Sequence, residues 1–71
     1  MNWHTVESSN VDALAYDGEY FYTRFKSGAV YRYENVTDTI FKEILGAASV
    51  GRTLNELVKS KPDEYPYTRL S

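Results

Sequence analysis

The sequence predicts an α+β fold: a small three-stranded antiparallel β-meander followed by two helices packed on one face. Two observations carry this. From Val11 to Tyr33, β-favouring residues alternate with a period of two, broken at Asp17-Gly18 and at Lys26-Ser27-Gly28. After Tyr33 the apolar spacing changes to steps of one, three and four, the pattern of helices with one buried stripe. Strands first and helices after imply helices gathered on one side of a small sheet. A chain of 71 residues holds one domain, 1–71, and one this small buries only about 60% of its unfolded surface.

Ser8-Ser9-Asn10 breaks the chain before the first strand, Val11 to Tyr16. Asp17-Gly18 then turns it back into Glu19 to Phe25. Residues 3–8 add a short edge strand in this reading. Five of the seven tyrosines lie between Tyr16 and Tyr33. In the second hairpin, a two-residue Ser27-Gly28 loop pairs Phe25 with Val30, Arg24 with Tyr31 and Tyr22 with Tyr33. One face then carries Phe21, Thr23, Phe25 and Val30, and the other Tyr20, Tyr22, Arg24, Tyr31 and Tyr33. A three-residue loop shifts the second strand by one residue and moves Tyr31 and Tyr33 to the Phe21–Phe25 face. The two-residue loop is preferred because it separates an apolar set from an amphipathic one.

Thr37 is placed to cap the first helix, with Asp38 in its first turn and Val36 and Phe41 at staple positions. Ile40, Phe41, Ile44, Leu45 and Ala48 form its stripe, and Gly46 weakens it. Ser49 is placed to cap the second helix, whose apolar face is Val50, Leu54, Leu57 and Val58 and which Pro62 stops. Residues 63–71 form a polar C-terminal tail containing Tyr65-Pro66-Tyr67, either disordered or packed on as an extended segment.

Several function classes are disfavoured. There is no cysteine, hence no disulfide framework and no thiolate zinc site. His4 is the only histidine and lacks a partner ligand. Ser8-Ser9 has no activating base in register, and Asp12, Asp17, Glu19 and Glu34 are scattered over turns and strand ends. Ser49-Val50-Gly51 with Arg52 reads first as a helix cap and only second as a phosphate cradle. The expectation is therefore no enzyme, no cofactor and no metal. Residues 1–7 lack a basic segment followed by an apolar run, and no apolar stretch approaches the roughly 20 residues of a membrane span. A cytoplasmic protein without membrane contact is expected.

The binding candidates are Tyr20, Tyr22, Arg24, Tyr31, Arg32 and Tyr33. Aromatic rings on an exposed sheet stack on nucleobases at roughly 1–3 kcal/mol per base. A nearby arginine binds phosphate or stacks. The competing reading is structural, with the tyrosines forming cross-strand pairs or packing beneath helices. The net charge of −2 gives no global attraction to nucleic acid.

Taken together, Ser8-Ser9-x-Val11, Ala15-Tyr16-Asp17, Phe25-x-x-Gly28-x-x-Tyr31-x-Tyr33, Val36, Ala48-Ser49-x-Gly51 and Asn55 resemble the KTSC domain family. The resemblance spans about residues 6–60. The family occurs at the C-terminus of some lysyl-tRNA synthetases and as stand-alone bacterial and phage proteins, and Tyr31-Arg32-Tyr33 matches its YxY motif. Two positions depart from its pattern: Thr37 replaces a proline, and Arg52-Thr53-Leu54 stands where an aromatic residue is usual. The resemblance implies a single non-enzymatic domain, with RNA suggested as a ligand by the synthetase context. The first functional reading is a small binding domain contacting RNA or single-stranded nucleic acid through the Tyr/Arg face. The alternatives are a phage-type protein that sequesters a nucleotide between protomers, and a protein-interaction or homodimer module.

Overall fold

The computed structural model describes residues 1–71. Five strands form one antiparallel sheet in chain order: β1 (His4–Thr5), β2 (Val11–Tyr16), β3 (Phe21–Phe25), β4 (Val30–Tyr33) and β5 (Tyr67–Arg69). Helices α1 (Asp38–Leu45) and α2 (Val50–Leu54) lie between β4 and β5 in the chain, and α2 runs on into a π-helical turn, Asn55–Lys59. The α+β class holds. The three-strand count does not, because the sheet has five. β1 lies within the expected edge segment, and β5 comes from the tail. Pro66 O accepts from Glu34 N at 2.9 Å and Val30 O from Leu70 N at 2.7 Å. Without β5 these groups of β4 would form an open sheet edge. Asn35, in the left-handed region at φ 67°, also donates its side-chain amide to Glu64 O at 3.2 Å.

The preferred hairpin register is overturned. Phe21 pairs with Tyr33, Tyr22 with Arg32, Thr23 with Tyr31 and Arg24 with Val30. Phe25 N donates to Ala29 O at 2.9 Å, and Gly28 N to Phe25 O at 2.9 Å, closing a three-residue loop of Lys26, Ser27 and Gly28. Such loops end in a left-handed residue, and Gly28 sits at φ 96°. The one-residue shift reverses every side chain of β4. Tyr31 and Tyr33 now face the helices, while Val30 and Arg32 face away.

The core fills the space between this helix face and the helices. Val11, Leu14, Phe21, Tyr33, Phe41, Ile44, Leu54 and Val58 are buried in one cluster, with Tyr16, Phe25, Tyr31, Ile40, Leu45 and Leu57 half-buried around it. Thr37 caps α1, its hydroxyl accepting from Ile40 N at 3.2 Å. Ser49 occupies the cap position of α2 but its side chain makes no cap bond. The first turn of α2 instead presses on the loop before β2 at Gly51. A methyl placed on Gly51 would stand 2.7 Å from Asn10 Oδ1 and 3.3 Å from Ser8 Oγ. The Ser8…Val11 and Ser49-x-Gly51 motifs are thus two halves of one close approach.

Candidate functional site

The sheet register divides the six candidate residues between two surfaces. Tyr22, Arg24 and Arg32 lie on the outer face, opposite the helices, and Tyr20 joins them from the Asp17–Tyr20 connection. Tyr31 and Tyr33 lie on the helix face and cannot complete a platform with the other four.

On the outer face the rings and cations tile one another. The Arg32 guanidinium lies 4.3 Å from the centre of the Tyr20 ring, and the Arg24 guanidinium 4.7 Å from that of Trp3. Tyr22 stands edge-on between Trp3 (6.4 Å) and Tyr20 (6.5 Å). A bulge between Val11 and Ala13 brings Asp12 to the same side, where Oδ2 accepts from Arg24 Nε at 2.7 Å. Arg32 has no such partner: it makes no ion pair, and its Nε is buried without an acceptor. Trp3 is thus a covering residue on this face. Its sequence signal was only a lone tryptophan near the edge strand.

The Tyr22 hydroxyl donates to Asp17 Oδ2 at 3.2 Å. Burial raises the Tyr22 pKa, and the Asp17 carboxylate adds to the shift. Asp17 itself is held below its ordinary range, because its Oδ1 accepts from Tyr20 N (2.7 Å) and Glu19 N (2.9 Å). Asp17 is therefore a turn organiser.

On the helix face, Tyr31 contacts Phe25 (5.5 Å) and Tyr67 (5.3 Å), and Tyr33 contacts Phe21 and Tyr67 (both 5.9 Å). Tyr33 is 2% exposed, and burial pushes its hydroxyl up to about 12. The nearby Thr23 hydroxyl acts in the opposite sense, yet it is itself buried and meets no partner at hydrogen-bonding geometry. Two clefts open beside these rings. One, of about 390 Å³, lies at the β3–β4 turn between Lys26, Ser27, Ser9, Asn10 and Lys59. The other, of about 280 Å³, is walled by Tyr31, Tyr33, Tyr65, Tyr67, Pro62 and Lys59. Tyr31 and Lys59 line both. The sequence pointed to two of these six residues, Tyr31 and Tyr33. Tyr65 and Tyr67 come from the tail, where two tyrosines in a polar segment were the available signal, and Lys59 and Pro62 from the end of the helical region.

His4 lies 5.9 Å from Phe41, ring centre to ring centre, and no cluster of His, Asp or Glu has the geometry of a metal site. No helix is long and apolar enough to cross a membrane.

Comparison with known proteins agrees with this architecture. The KTSC domain model matches residues 7–61. An uncharacterised protein of Stutzerimonas stutzeri is 39% identical over 67 residues, covering 92% of each chain. A protein of Tsukamurella paurometabola is 40% identical over 58 residues, covering 79% of this chain and 87% of that one. The crystal structure of the KTSC domain protein YPO2434 from Yersinia pestis superposes with a TM-score of 0.88 at 21% identity, covering 99% of this chain and 97% of its own. The shared architecture and the family match over residues 7–61 lead to one conclusion: the chain belongs to the KTSC domain family.

Proposed function

We propose that this is a non-enzymatic binding module whose outer sheet face docks a protein partner. The observation that carries the reading is the tiled set Trp3, Tyr20, Tyr22, Arg24 and Arg32, with Arg32 Nε lacking an acceptor. Tryptophan, tyrosine and arginine dominate the energetics of protein interfaces. A partner carboxylate would pair with the Arg32 guanidinium, which makes no ion pair within the chain, and the rings would supply apolar area at little conformational cost.

RNA or single-stranded nucleic acid suits this face less well. Nucleobase stacking needs an open ring face, and guanidinium groups already lie over Trp3 and Tyr20. Arg24 is neutralised by Asp12, and the chain as a whole is acidic. The test is native mass spectrometry of the chain purified from its host, with Arg32→Ala and Tyr20→Ala as variants. A co-purifying protein or a dimer that both variants release supports the proposal. A partner-free chain that binds single-stranded RNA with steep salt dependence, lost in Arg32→Ala, refutes it.

A further inference from the structure

We infer that the paired clefts on the helix side of β4 form a binding site for a small planar anion of the nucleoside monophosphate class. This site lies on the opposite side of the sheet from the docking face, so either proposal can fail alone. The two clefts meet at Tyr31 and Lys59 and differ in chemistry along their length. At the turn end, Lys26 and Lys59 make no ion pair, and Ser9, Ser27 and Asn10 supply polar side chains beside them. That end suits a phosphate. At the other end four tyrosines and Pro62 make an aromatic wall suited to a flat ring. Lys26 lines the turn cleft and not the aromatic one, and it sets the orientation, keeping the phosphate at the turn end. The turn cleft, at about 390 Å³, lies at the lower end of the roughly 300–1,000 Å³ range of small-molecule sites, and the aromatic cleft of about 280 Å³ extends it.

The backbone explains why Lys59 reaches this place. The chain leaves α2 through a π-helical turn, with Ser60 N donating to Asn55 O at 2.9 Å. Such turns carry an extra residue and recur at functional sites. Here Lys59 ends 5.2 Å from the Phe25 ring centre, at the junction of the two clefts. A purely structural Lys59 would complement the helix C-terminus and cover Phe25. It would not need the unpaired Lys26 beside it.

The test is amide NMR titration of the full chain with AMP, GMP, CMP and UMP separately, and with adenosine and inorganic phosphate as controls. At least one nucleotide should bind saturably, one per chain, with shifts centred on Lys26–Tyr31, Lys59 and Tyr65–Tyr67. Lys59→Gln should weaken it about tenfold, as expected for losing a charged hydrogen bond. Tyr67→Ala should weaken the nucleotide while leaving the response to phosphate unchanged. Tyr67 is 56% exposed, so both variants should keep the spectrum of the folded chain. Failure of all four nucleotides to bind saturably overturns the inference. So does equal affinity for phosphate alone, or binding unchanged by Lys59→Gln.

Discussion

Removing the Phe41 ring tests how the helices are joined to the sheet. Phe41 is 7% exposed and bridges α1 to the sheet. Its ring stacks on Tyr16 at 5.4 Å and meets Phe21 edge-on at 5.9 Å. Phe41→Ala should cost about 3–5 kcal/mol, from lost burial and the cavity left behind. Two aromatic partners, each worth roughly 0.5–1.5 kcal/mol beyond area, place the cost toward the upper end. At roughly 0.05–0.15 kcal/mol per residue, a chain of 71 residues has about 4–11 kcal/mol in all. The variant should therefore lose a third or more of its stability. Its melting temperature should fall by about 15 °C or more, at 4–8 °C per kcal/mol for a domain of this size. Circular dichroism followed through heating and urea titration measures both. Phe41→Leu, which keeps most of the volume, should cost less than about 1.5 kcal/mol. A Phe41→Ala chain that melts cooperatively at the unchanged temperature would refute the packing of α1 on Tyr16 and Phe21.

Two further outcomes are expected. The Tyr33 hydroxyl has its folded value raised above the ordinary 10 to about 12, so its contribution is complete below pH 10 and is lost as pH rises through 12. Urea midpoints should accordingly decline across that window, and Tyr33→Phe should flatten the decline; an identical slope in the variant would contradict burial of the neutral phenol. Gly51→Ala should stabilise the chain by less than the helix-propensity gain of about 1 kcal/mol, because its methyl displaces the exposed Asn10 Oδ1 that accepts from Ser8 Oγ at 3.1 Å. In an Asn10→Ala background the same substitution should recover more of that gain, a coupling that a double-mutant cycle of urea midpoints measures.

Local chemistry in the sequence determined much of this protein. The strands over Val11–Tyr16, Phe21–Phe25 and Val30–Tyr33, the Asp17-Gly18 turn and the Thr37 cap depend on residues a few positions apart, and each is found where the sequence placed it. The bulge after Val11 nevertheless breaks the strict alternation of the first strand and sends Val11 to the core with Leu14. The family resemblance rested on the same kind of ordered, local signal. Only the tertiary structure decided the hairpin register. Lys26-Ser27-Gly28 accommodates a two- or a three-residue loop, and both alternatives keep every β-favouring residue in a strand. What separates them is remote. With three loop residues Tyr33 enters the core beside Phe21 and Tyr31 packs against Phe25 and Tyr67, while Arg32 reaches Tyr20 on the outer face. The β5 strand was half legible: the tail was open between disorder and an extended packed segment, and Tyr67-Thr68-Arg69, though two of its three residues favour strands, pairs because β4 offers an edge. Both decisions moved function, dividing six candidate residues between two faces and completing a cleft around Tyr31 and Lys59. The pairs that join β4 to β5 lie more than thirty positions apart in the chain, and the choice of register rests on which rings reach the core, so neither leaves a mark on local periodicity.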